Sequence, residues 1–124
     1  MNLDDWEEEN VANLWANKNA GNQGDCDACH NLGADGFIAS EDSARMFKLV
    51  TELPSLMPSF FTLDASGSNV LINRSRLENV GNLLEPHQAH GAFSVNGNAM
   101  DALQRFYVKT QDRLANGLCD LPRY

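Results

Sequence analysis

Apolar residues along this chain recur mostly at the three-to-four-residue interval of an amphipathic helix. In residues 3–17, LDDWEEENVANLWAN, Trp6, Val11, Leu14 and Trp15 form an imperfect stripe, and the acids fall in the first turns, where the helix dipole favours them. Residues 18–25, KNAGNQGD, are rich in breakers and predict a loop. In SEDSARMFKLVTEL, Ser40 is a candidate N-cap, and Met46, Phe47 and Val50 fall at helical spacing. Pro54 ends that helix or begins the next turn, and Pro58 follows closely. DASGSN at 64–69 reads as a turn, and VLIN at 70–73 suits either a strand or a helix entry. RSRLENVGNLL predicts a short helix with Leu77 and Val80 inward, and residues 85–98 are irregular. The strongest pattern is AMDALQRFYVKTQDRLA at 99–115, with Met100, Leu103, Phe106, Tyr107 and Leu114 on the apolar face and Gly117 as the stop.

The expected fold class is mainly α, with three or four short helices and long irregular connections in one domain over residues 1–124. Loops of that length are uncommon in a compact domain unless something inside organises them, and a large flat apolar cofactor would do so. A chain this short buries only a modest core, so a bound group would also help its stability.

The net charge is −8, from 17 acidic against 9 basic residues, which argues against a nucleic-acid partner because the counterion-displacing basic face is missing. The Glu7–Glu9 run reads as a solvated helix face, or alternatively as a docking patch for a basic partner. No stretch is long and apolar enough to span a bilayer. The opening MNLDDWEEEN has neither the basic nor the apolar region of an export signal, so the expectation is that Met1 is a cloning start or that the chain is a mature segment of something larger.

The densest chemistry lies in GDCDACHNLG at 24–33, with its Cys26-x-x-Cys29-His30 spacing. This spacing is that of c-type haem attachment. On one helical turn, positions i and i+3 point the same way, so both thiols can reach the two vinyl groups of one haem, while the adjacent imidazole reaches the iron. Zinc is the rival: Cys26, Cys29, His87, His90 and Cys119 are candidate ligands, and a Cys26, Cys29, His87, His90 set would leave His30 without a purpose. A thioredoxin-like dithiol fits less well, because no βαβ pattern surrounds the pair.

The Cys-x-x-Cys-His turn, an N-terminal helix before it and an amphipathic C-terminal helix after it resemble the class I c-type cytochromes. AGNQGDCDACHN, VLINRSRLENVGN, HGAF and MDALQRFYVKTQDRL are similar, more closely, to cytochrome c modules appended to secreted bacterial polysaccharide-degrading proteins. The resemblance implies a small class I-like fold in which the terminal helices cross, with Trp6, Val11 and Leu14 against Leu103, Phe106 and Tyr107. It implies one covalent haem held by Cys26 and Cys29, with His30 as proximal ligand. It further implies a periplasmic or extracellular electron carrier, neither an enzyme nor membrane-spanning, that passes single electrons to a redox partner such as a lytic polysaccharide monooxygenase.

The sixth iron ligand has several candidates. His90 is the expected one, since it sits in an irregular loop shortly before the last helix, and Gly91 would let the backbone approach the ring. Met57, in LPSLMPSFF, is the alternative, because class I cytochromes often place a methionine ligand in a proline-rich loop. Met46 and Met100 read as core residues and His87 as exposed. An open or labile distal face would instead make the protein a haem-based sensor or small-ligand binder. Cys119 reads as an unpaired thiol on a tail, with an intermolecular disulfide as its functional alternative.

Overall fold

The computed structural model describes residues 1–21, 24–84 and 91–118, and within them the fold is mainly helical. The elements in order are α1 (Leu3–Glu8), α2 (Val11–Ala16), α3 (Asp27–His30), α4 (Ser43–Glu52), β1 (Phe61–Leu63), β2 (Val70–Ile72), α5 (Arg74–Gly81) and α6 (Asn98–Ala115). Single 3₁₀ turns occupy Ala34–Gly36 and Met57–Ser59. Among the described residues no helix is long and apolar enough to cross a membrane.

The segment expected to be one helix over 3–17 is two. Asn10 takes a left-handed conformation (φ 55°, ψ 34°) and breaks the run between α1 and α2, a backbone state that asparagine tolerates better than most residues. The Asn2 side chain caps α1 by accepting from the Asp5 N–H. The kink lets both short helices pack on α6. Trp6 from α1 stands edge-on to Phe106 of α6, with ring centroids 5.2 Å apart and planes at 88°. Of the contact expected between the two ends of the chain, the Trp6–Phe106 pair is present. Trp6, Trp15, Phe60, Phe61 and Phe106 are all fully buried and form the aromatic centre of the core.

The Glu7–Glu9 run is not a simply solvated face. Lys109 Nζ lies 2.8 Å from both Glu8 Oε2 and Glu9 Oε1, Arg105 pairs with Glu9, and Arg113 pairs with Asp5. A row of ion pairs therefore flanks the α1–α6 contact.

Helix α4 starts two residues later than a Ser40 cap implies. Asp42 is its N-cap, and its carboxylate accepts from the Arg45 N–H at 3.0 Å. Ser40 supports the approach instead, its hydroxyl accepting from the Asp42 N–H. Leu53, before Pro54, is extended (φ −104°, ψ 115°), so the helix stops where proline sterics require. VLIN resolves as a strand: β2 pairs antiparallel with β1, Phe61 opposite Ile72 and Leu63 opposite Val70. The turn between them is organised by Asp64, whose Oδ1 accepts from the backbone N–H groups of Ser66 and Ser68, each at 3.1 Å, and of Asn69.

Helix α6 ends as expected at Gly117, which takes φ 76°. Its N–H donates to Leu114 O and the Leu118 N–H to Arg113 O, the paired bonds of a Schellman cap. In α5, Leu77 is buried and Val80 half-buried.

Candidate haem-attachment turn

The loop before the two cysteines folds back on itself. Asn19 bridges Asp25, the Ala20 N–H donates to Gly24 O, and the Cys26 N–H donates to Lys18 O, both at 2.9 Å. This hands the chain directly into a helical turn, with Cys26 at φ −57°, ψ −36° and the His30 N–H donating to Cys26 O at 3.0 Å. Cys26 and Cys29 therefore stand at i and i+3 on one turn that ends at His30, and neither is in a disulfide.

The two thiols have different surroundings. Cys26 is buried, and burial pushes its thiol up to about 11; the Asp25 and Asp27 charges add to this, while the Lys18 charge opposes it. Cys29 is exposed.

His30 is held from two sides. Its Nδ1 lies 2.9 Å from Ala34 O, and because a carbonyl can only accept, Nδ1 carries a proton, which in the neutral ring leaves the lone pair on Nε2. Its ring also meets Phe37 edge-on at 5.2 Å and 84°, and Phe37 in turn contacts the fully buried Phe60 at 5.3 Å. An imidazole with Nδ1 satisfied and Nε2 available is prepared as a metal ligand. The donor chemistry suits a c-type haem: two unbridged thiols on one turn that could form thioethers, and an imidazole nitrogen that could bind iron. Leu32, two residues beyond His30, is 77% exposed and gives the turn an apolar neighbour.

The other expected site residues are placed as follows. His87, His90 and Cys119 lie outside the described residues. Met57 opens the buried 3₁₀ turn that carries Pro58 and Ser59. Met46 and Met100 are core residues, as their helical spacing suggests, and Met46 Sδ accepts from the Ser40 N–H at 3.4 Å. Gly91 has a contact that its sequence context does not reveal: a Cβ added to Gly21 would come within 3.0 Å of Gly91 Cα, so the loop before the cysteines packs against the segment after His90. Among the described residues, no group of three or more histidine, cysteine or acidic side chains is gathered as a metal site. A cavity of about 300 Å³ lies between α2 and the start of α6, lined by Asn13, Leu14, Asn17, Lys18, Asn98 and Ala99, and includes none of the attachment residues.

Sequence reading does not find Ala34, Phe37 or Ser59 as neighbours of the site. Their roles arise from tertiary approach, and only the Gly33–Gly36 turn spacing signals that the chain reverses just after His30.

Comparison with protein-family models, with curated proteins and with solved structures finds no match to this chain.

Proposed function

We propose that this protein is a monohaem c-type cytochrome that carries single electrons and transforms no substrate of its own. The observation that carries the reading is the pairing of Cys26 and Cys29 on one turn with a His30 whose Nδ1 is tied to Ala34 O, leaving Nε2 available. The bound haem supplies a one-electron ferric/ferrous couple. The chain's own residues do the rest. The Cys26 and Cys29 sulfurs hold the group covalently, and His30 Nε2 is the proximal ligand. The Ala34 carbonyl keeps the proton at Nδ1 and so fixes the orientation of the imidazole. His90 is the proposed distal ligand, with Met57 the alternative.

Haem c is attached outside the cytoplasm, so the proposed setting is periplasmic or extracellular. The proposed recipient or donor is a redox protein, with a lytic polysaccharide monooxygenase as the leading candidate from the resemblance. The net charge of −8 favours a basic docking face on that partner.

The test is production in a bacterium equipped for haem c attachment. The expected product is red, heavier than the bare chain by one haem, with the pyridine haemochrome spectrum of two thioethers. A colourless product with the mass of the bare chain overturns the reading.

A further inference from the structure

The loop that supplies the His30 hydrogen-bond acceptor is strained and tied down from three directions. It leaves His30 and returns to it: the Gly33 and Ala39 N–H groups both donate to His30 O at 3.1 Å. Within it, Gly33, Asp35 and Gly36 all have positive φ, at 84°, 57° and 70°. Asp35 is not a glycine, so this left-handed conformation is uncommon for it, although aspartate enters the region more readily than most residues. A strained segment persists only when its surroundings hold it.

The ties come from separate elements. Ser59 is fully buried, and its hydroxyl donates to Gly36 O and accepts from the Ile38 N–H, each at 3.3 Å. Arg45 of α4 donates from Nη1 to Asn31 O at 2.9 Å. Arg76 of α5 reaches Asp35 O at 3.5 Å. These four hydrogen bonds fall on backbone groups on either side of Ala34, whose carbonyl accepts from both Phe37 N–H and His30 Nδ1. A buried hydroxyl has one proton to give and lone pairs to accept, and Ser59 uses both capacities on this one loop.

We infer that Ser59, assisted by Arg45 and Arg76, is a positioning residue for His30, setting the Ala34 carbonyl so that the Nδ1 hydrogen bond stays short. The inference rests on the proposed ligation of iron by His30 Nε2. A firm Nδ1–H···O bond makes the imidazole a stronger donor at Nε2. A stronger donor stabilises the ferric state, so loosening the loop favours the ferrous state.

The experiment compares haem-loaded wild-type protein with Ser59→Ala, Arg45→Gln and Thr110→Val. Two quantities are read: the reduction potential and the exchange rate of the His30 Nδ1 proton by NMR. Ser59→Ala is expected to shift the redox equilibrium toward the ferrous form by up to about tenfold, equivalent to about 59 mV for one electron, and to speed proton exchange. Arg45→Gln moves both in the same direction by less. Thr110→Val also removes a buried hydroxyl, one remote from this loop, and is expected to move neither. A Ser59→Ala protein that melts earlier but keeps both the potential and the exchange rate overturns the inference. Should Ser59→Ala fail to fold, the exposed Arg45 variant decides by the same two readouts. Wild-type protein that emerges without haem overturns this inference together with the reading beneath it, whereas a loaded wild type with an unresponsive Ser59 variant overturns this inference alone.

Discussion

Asp5 and Arg113, 108 positions apart in the chain, form a two-pronged ion pair in which Arg113 Nη2 donates to Oδ1 at 3.1 Å and Nε donates to Oδ2. The Arg113 hydrogen bond is the main reason the Asp5 carboxyl is held below its ordinary value of 3.8, and Lys109 and then Arg105 do the same for Glu9 relative to 4.5. A carboxylate whose value is depressed on folding stabilises the fold above its unfolded value, and this contribution is lost as the pH falls through the folded one. The urea midpoint is therefore expected to drop between about pH 5 and pH 3. Arg113→Gln is expected to lose about 1 kcal/mol at neutral pH and to show a shallower acid drop. A full acid drop in that variant would remove Asp5 from the explanation.

The unequal thiols predict unequal reactivity in the bare chain. With Cys26 pushed up to about 11 and buried, only about one thiol in a thousand is ionised at pH 8. Iodoacetamide is expected to label Cys29 at least about tenfold faster than Cys26 in the folded, haem-free chain, as read by peptide mass spectrometry. The same raised value makes stability fall as the pH climbs from 9 toward 11, because the folded form holds its proton longer than the unfolded form.

Two glycines are required for different reasons. A Cβ at Gly81 would lie 2.6 Å from Phe93 O, whose residue is bonded to Gly81 by its own N–H at 3.0 Å. At Gly67 a Cβ would meet nothing, so only its φ of 70° opposes substitution. Gly81→Ala is expected to cost about 2–3 kcal/mol and Gly67→Ala about 1 kcal/mol, by thermal or urea melts. Equal costs would contradict the close approach of the Phe93 segment to α5.

The proposed distal ligand is separable by substitution. In the haem-loaded protein, His90→Ala is expected to produce a high-spin ferric spectrum, while Met57→Ala keeps the low-spin form and loses stability from its buried turn. The reverse pair of results would assign the position to Met57. Carbon monoxide binding rapidly to reduced wild-type protein would instead indicate a labile distal side.

Much of this architecture is legible in local sequence because it depends on local geometry. The period of residues 99–115 and the glycine after them mark α6 almost to the residue, since both the apolar stripe and the Schellman cap are set within a few positions. The Cys-x-x-Cys-His turn is legible for the same reason. The break at Asn10 is not, because the stripe from Trp6 to Trp15 reads through it and only packing on α6 from both sides reveals the kink. Strand β1 escapes notice because it follows a proline turn without alternation and exists through its pairing with β2. The spacing points to Ser40 as the cap of α4, whereas the backbone path gives that place to Asp42. The ties of Ser59, Arg45 and Arg76 join residues distant in sequence, where no spacing rule applies.

The Asp64 turn has a practical use. Residues 65–68 are exposed, the tip is cinched from within by a single carboxylate, and the strand leaving the turn is fastened to α6 through Gln111 Nε2, which donates to Val70 O. A tether, fluorophore or fused module grafted at the exposed Ala65 would leave from a corner already braced against tugging, giving an engineer a handle for fixing this protein to a surface or to a second protein.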